Sequence, residues 1–426
     1  MQRKTRRALR ILATSLALLG VVLGAAELTL AVALRSLRPM GGAPPAGSLR
    51  VPGPLLVGAA TRTIELPSQR ALAGFGLFRP LARGSTGPWE ARAVVIGKLA
   101  IVSLDVLEIP PSLSAVVSQS VGPDFSVWLC ASHTHSGPGG YDPGRLPQLV
   151  GARRFEPGVF NALAEAASSA VSAAAWGARP AKVRWATASH PELKVGRSPG
   201  ADPDSTLWAM QAEDADGEVI ATLLAFGAHP TLVSRRQALA SADWPGVAAE
   251  ALARRGGVGL AVQAIGGDSS AVISLVTDDD RRIRYGENVA SAALRALASA
   301  PATAIPDEEL AQAPARLSWN PLELVHLRLP GTTATVETTV RMASLGNVRL
   351  ICLPGEITGA AWHDLTTFNP GLKDALPLTL CGDELSYVES PRLSHQGEGE
   401  RLILYPQAVP ELGLTVEHLL RTLSQQ

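Results

Sequence analysis

Beyond residue 55 the chain alternates between short apolar, β-branched runs and alanine-rich runs, and few architectures accommodate that alternation. Val94-Val95-Ile96 and Leu99 to Leu104 flank a Gly97-Lys98 turn and read as paired strands. Ser126 to Ala131 (SVWLCA) reads as a short buried strand, and Phe160 to Trp176 as an alanine-rich helix. The same reading predicts strands at Val183 to Ala188, Val219 to Phe226 and Leu260 to Ile265. Further strands are expected at Leu322 to Leu329, Thr333 to Val340 and Val348 to Leu353, the last buried on both faces. Helices are expected at Pro245 to Arg254, with proline in the first turn, at Gly286 to Ala300, and at Leu412 to Leu423. Elements in this order imply an α/β fold, with mixed β-sheets flanked by helices. No compositional break divides residues 55–426, which read as one large domain.

Composition removes several function classes. Hydrophobic residues are 46% and charged residues 18%, which excludes a disordered chain. Formal net charge is zero and aromatics are 4%, so nothing suggests nucleic-acid binding. Cys130, Cys352 and Cys381 are too few for a disulfide scaffold; at most one pair can bridge. None forms a CxxC pair, so a cysteine zinc site is not expected.

The N-terminus is set apart. Residues 1–10 form a basic tail, and 11–34 are apolar with a single charge, Glu27. A helix of that length rises roughly 36 Å, enough for a hydrocarbon core of about 30 Å. The basic flank keeps this end in the cytoplasm and sends the rest of the chain out. The segment reads as a transmembrane signal anchor, or as a signal peptide cut after Gly24-Ala25-Ala26. Residues 35–54 read as a Pro/Gly-rich linker.

Candidate chemistry begins at ASHTHSGPGGY, residues 131–141. If the preceding strand continues, its pleat puts His133 and His135 on one face, about 6.6 Å apart along the backbone. Two imidazoles there either begin a metal site or form a hydrogen-bonded polar turn. Three further candidates stand just past apolar strands: His229 in AFGAHPTLVS, Asp268 to Ser270 in GGDSS, and Glu356 in ICLPGEIT. Ligands gather at such strand ends in open α/β sheets. Each also has an ordinary reading, as a core histidine, a helix cap or a turn.

HTHSGPGG at His133 to Gly140 resembles the signature of the neutral/alkaline, non-lysosomal ceramidases. AHPT at Ala228 to Thr231, SADWPG at Ser241 to Gly246, GGDSS at Gly266 to Ser270 and LPGE at Leu353 to Glu356 resemble that family's other motifs, in the same order. The resemblance spans roughly residues 55–390. It implies a zinc ion (Zn2+) held by His133, His229, Glu356 and Tyr387, with His135 as acid/base group. It also implies that Arg197, in VGRSPG, faces the substrate, with Gly196 where the family has Asn. Ser270 is placed among the catalytic residues, near the metal. Asp243 and Asp105 are candidate supports for the site, Tyr141 a candidate pocket wall, and Cys130 a small core residue.

The implied reaction is zinc-dependent hydrolysis of N-acyl sphingoid lipids, ceramide giving sphingosine and fatty acid. The implied partners are a lipid substrate and, through the N-terminal helix, a membrane; no obligate protein partner is inferred. There are departures. Ser270-Ala271-Val272 replaces a Ser-Pro-Asn end, and ESPRLSH replaces the Thr-x-Glu-Glu-Tyr continuation after the tyrosine. The chain resembles short bacterial forms without a C-terminal immunoglobulin-like domain. Three other readings stay open: a zinc amidase for another N-acylated amine, a non-catalytic anchored envelope protein, and a serine hydrolase through Ser136 or Ser270. Neither of these two serines stands in a GxSxG elbow, which would favour the last.

Overall fold

The computed structural model describes residues 46–66, 71–76, 79–272, 281–319, 334–401, 403–405 and 407–424. The expected membrane segment, the basic tail and the strand expected at Leu322 to Leu329 lie outside these residues. No helix among the described residues is long and apolar enough to cross a membrane.

Three sheets carry the fold. The first runs Ser126–Ala131, Leu99–Leu104, Glu90–Ile96, Leu56–Thr63, Arg179–Pro180. Its hairpin pairs Ile96 with Leu99, as the Gly97-Lys98 turn predicts, and Leu99–Leu104 runs parallel to Ser126–Ala131. Helix Pro157–Trp176 lies across this sheet. Its alanines are the reason it lies so close: Ala166, Ala167, Ala170 and Ala174 are buried, and Gly58 sits where a Cβ would be 2.0 Å from the Ala174 carbonyl oxygen. The second sheet runs Val258–Val262, Val219–Ala225, Thr206–Glu213, Lys182–Ser189, covered by helices Asp243–Ala253 and Arg281–Ala298. The third runs Gly47–Pro52, Asp307–Trp319, Ala334–Leu345, Val348–Cys352, Leu376–Leu378, against helices Gly359–Phe368 and Ala408–Ser424.

One core joins all three. Val57 and Ile101 of the first sheet, Met210 and Leu223 of the second, and Leu310 and Leu350 of the third are buried together. Each such side chain contributes about 1.5–3 kcal/mol relative to exposure. The expected mixed α/β architecture is therefore present.

Two expectations are corrected. Residues 47–52, inside the stretch read as linker (35–54), form a strand that pairs Gly47 with Gln312 and Pro52 with Asp307. This edge strand is mostly exposed, so no apolar alternation announces it. The strand expected over Leu260 to Ile265 ends at Val262, and residues 263–268 turn toward the centre described next.

Candidate metal centre and its cavity

The strand Ser126–Ala131 stops two residues before His133. His133 adopts a left-handed backbone, φ 64°, which costs on the order of 1–3 kcal/mol in a residue with a side chain. The pleat invoked for the His-Thr-His segment is thus replaced by a turn. The turn still brings the rings together, with centroids 4.9 Å apart and planes nearly perpendicular at 84°. Thr134 holds it, donating to the Ser241 carbonyl at 2.7 Å and accepting from the Ser136 amide at 3.1 Å. Arg79 donates to the His135 carbonyl and, at 3.0 Å, to Ser136 Oγ. Gly74, at φ +83°, packs beneath; a Cβ there would lie 2.9 Å from His135 Cα.

His229 follows the strand Val219–Ala225. Asp243 fixes the segment after it by accepting from the Val233 amide at 2.8 Å. Glu356 and Tyr387 come from the third sheet's side. Short strands Glu356–Ile357 and Tyr387–Val388 run parallel, with Glu356 opposite Tyr387. Three separate chain regions therefore meet, and what they present is informative. His133 Nδ1 lies 2.7 Å from the Leu107 carbonyl, and His229 Nδ1 lies 3.0 Å from the Ser269 carbonyl. Carbonyls only accept, so both Nδ1 atoms carry a proton, and in the neutral rings both Nε2 atoms present lone pairs. Those lone pairs meet Glu356 Oε2 at 3.2 and 2.9 Å. Glu356 Oε2 is sealed from solvent and has no hydrogen-bond donor. With both rings neutral, three acceptors face one point, and a bound cation or a proton on Nε2 satisfies them.

The spacing suits zinc. Tetrahedral ligands at about 2.0–2.1 Å from an ion stand roughly 3.3 Å from one another. The observed separations are 3.2 and 2.9 Å to Glu356, 3.2 Å from His229 Nε2 to Tyr387 Oη, and 3.4 Å between His133 and His135 Nε2. Ligand atoms of His133, His135 and His229 all lie within 4.8 Å of one another, and this is the tight group among the described residues. His135 thus belongs to the cluster spatially, beside the role the sequence suggested for it.

Electrostatics agrees. Burial works to raise the Glu356 carboxyl, but His133 and His229 outweigh it and hold it well below the usual carboxylate range. His229 is pushed down by burial, against the pull of Glu356. His135 is lowered well below the ordinary imidazole value by burial, then by His133 and His229. An ionised carboxylate sits beside two imidazoles, His229 and His135, whose protonated forms burial disfavours. A metal cation satisfies both.

The other sequence candidates fall around this point. Tyr387 stacks on His229 at 6.2 Å between centroids, and its phenol is pushed well up, chiefly by burial and then by Glu356. The Arg197 guanidinium sits 5.6 Å over the Tyr387 ring, with Nε 3.3 Å from Glu400. Ser270 enters through its backbone, bridged to His229 and paired with Val195; its neighbour Ser269 supplies the carbonyl that orients His229. Asp105 instead pairs with Arg92 at 3.0 Å and accepts from the Glu90 amide. Tyr141 is fully buried and bonds the backbone of Glu108.

A cavity of about 210 Å³ opens from the centre. His133, His135, Glu356 and Tyr387 line it, as do Leu146 and Trp319. Glu108, Asp142 and Glu384 also line it. The sequence reading passed over these acids. Asp142 lies two residues past the glycine loop and Glu384 lies in GDELSY, so nearness to the motifs was a usable signal; Glu108 carried none.

No family model and no curated protein matches the sequence. Among solved structures, the neutral ceramidase of Pseudomonas aeruginosa is similar at TM-score 0.70, with 17% identity, over 84% of this chain and 72% of that one. A structure described as ceramidase complexed with C2 is similar to the same degree, over 84% of this chain and 73% of that one. At this identity the likeness concerns architecture, and the conclusion it carries is that this chain has the neutral-ceramidase fold.

Proposed function

We propose that the protein is a zinc-dependent hydrolase of N-acyl lipid amides, with ceramide as the first substrate to test. The observation that carries this reading is the convergence of His133 Nε2, His229 Nε2 and Glu356 Oε2 on one point beside a cavity. His133, His229 and Glu356 would hold the ion, with Tyr387 as fourth ligand or neighbour. When bound, zinc supplies a Lewis acid for the amide carbonyl and brings the pKa of a bound water to about 7. His135 accepts the proton from the attacking water and returns it to the leaving amine. Its ring is held for this by Phe75, at 5.2 Å between centroids, and by the close approach of Gly74. Tyr387 and Arg197 provide donors to the oxygen that gains charge. Leu146 and Trp319 give the cavity apolar wall for an acyl chain and exclude water. An exported, membrane-anchored placement, expected from residues 1–34, would set the cavity where lipid amides are presented.

The test is elemental mass spectrometry of the dialysed protein, together with hydrolysis of a short-chain ceramide with and without chelator. About one zinc per chain and chelator-sensitive release of fatty acid are expected. Absence of metal after reconstitution overturns the reading. Metal with no ceramide turnover, but turnover of another N-acyl amine, selects the amidase alternative.

A further inference from the structure

The mechanism above leaves three cavity-lining acids unused. Glu108, Asp142 and Glu384 border the same cavity as His133 and Glu356. Asp142 is 5% exposed and accepts from the Gly144 amide at 2.6 Å. Glu108 Oε1 and Glu384 Oε2 are sealed from solvent, and neither has a hydrogen-bond donor. Glu108 shares a hydrogen bond with Asp142, and Glu384 accepts from the Ser386 amide through Oε1; the charged neighbours of both are otherwise acids, Asp142, Glu356, Asp383 and one another. Burial pushes all three carboxyls up, Asp142 to about 6.

Buried carboxyls without counter-charges are costly, and an acyl chain gives them nothing. Asp383 behind them is already satisfied, by Thr338 Oγ1 at 2.6 Å and the Glu384 amide at 2.7 Å. A second metal ion is not the natural occupant. Among the described residues, the group of ligand atoms close enough to share one ion is at His133, His135 and His229, and none of these three acids belongs to it. A larger cation with several N–H donors fits acids that are near one another without converging.

We propose that Glu108, Asp142 and Glu384 form an ammonium subsite that receives the amine side of the substrate and retains the released amine as its ammonium ion. The identity of the ligand rests on the proposed amide hydrolysis. The subsite selects N-acyl amines whose amine part is neutral or cationic. It rejects N-acyl amino acids, whose free carboxylate would meet three acids and Glu356.

The test is isothermal titration of the full chain at pH 7 with octylammonium and with 1-octanol, its neutral counterpart. Each titration is run with and without EDTA, so that binding to metal is not counted. Octylammonium should bind at least tenfold more tightly than 1-octanol in both conditions. In Glu108→Gln/Glu384→Gln that preference should fall to within twofold, with the unfolding midpoint retained. If the double variant does not fold, Glu384→Gln and Asp142→Asn are measured singly, and each should lose part of the preference. Equal binding of the two ligands, a preference that vanishes with EDTA, or one that survives the substitutions overturns the subsite. Hydrolysis is scored separately, on N-octanoyl ethylenediamine and N-octanoyl glycine. Ammonium preference without turnover refutes the proposed reaction and leaves the subsite standing. Turnover of both amides at equal kcat/KM refutes the subsite alone.

Discussion

Glu356→Gln should have opposite effects on the metal-free and the metal-loaded protein. At pH 9, above the ordinary imidazole range, the metal-free protein holds a carboxylate oxygen against two Nε2 lone pairs, at 3.2 and 2.9 Å. The amide of glutamine is nearly isosteric and brings two N–H donors to the same position. Each new hydrogen bond is worth about 1 kcal/mol net, so the metal-free variant should gain about 2 kcal/mol. With zinc the order reverses. At free zinc a thousandfold above Kd, binding stabilises the wild type by about 4.1 kcal/mol. Loss of the charged ligand should weaken affinity at least a hundredfold, leaving about 1.4 kcal/mol at the same free zinc. The zinc-dependent increment should therefore shrink by about 2.7 kcal/mol. Urea unfolding of both proteins in EDTA and in buffered zinc measures all four states. A metal-free variant less stable than metal-free wild type, or an unchanged zinc increment, would refute the lone-pair argument.

Three other expectations are simpler to check. His135→Ala should keep about one zinc per chain and lose 10²–10⁴ in kcat, whereas His133→Ala and His229→Ala should each lose the metal itself; elemental analysis beside turnover separates them. Tyr387→Phe should reduce kcat by about 10²–10³ with little change in KM if its hydroxyl meets the developing oxyanion. Glu308→Gln should cost about 1.5–3 kcal/mol in denaturant unfolding, because Glu308 accepts from both the Lys98 and Leu99 amides at 2.8 Å across sheets, and glutamine can accept only one.

How much of this could be read from the sequence depended on whether the signal was local. The Glu90–Ile96 and Leu99–Leu104 hairpin was legible because the Gly97-Lys98 turn and its apolar flanks sit within a few residues of each other. His229 and Glu356 were legible as polar residues just past apolar strands, and the ceramidase-like motifs tied them to His133. The strand Gly47–Pro52 was hidden, because its partner at 307–312 lies far along the chain and its own residues look like linker. The His-Thr-His geometry departs from a strand because residue 133 is left-handed, which nothing local in the sequence marks, while its ring contacts Leu107 and Glu356 from other parts of the chain. Glu108, in VLEIPPS, stands in no motif that marks it in the sequence. Only the fold turns it inward beside Asp142 and Glu384.

The cysteines show how non-local contacts make the site, and they carry one further prediction. Sequence allowed any one of three pairings; the structure joins Cys352 to Cys381 and places the free, buried Cys130 with its Sγ 3.2 Å from Cys381 Sγ. Each stands shortly before a site residue: Cys130 before His133, Cys352 before Glu356, Cys381 before Tyr387. The sulfurs therefore register the three strand ends that deliver the ligands. The bond closes a loop with sequence separation 29, which loop-closure entropy values at about 3.6 kcal/mol. Cys352→Ala/Cys381→Ala should lose stability of that order. It should also lose zinc affinity, because Glu356 and Tyr387 are then free to drift relative to each other. A reducing agent should do the same to the wild type and leave the double variant unchanged. A double variant that loses the stability but keeps wild-type zinc affinity would mean that the two β-strands hold the ligands in place unaided, and that the disulfide only shortens the unfolded chain.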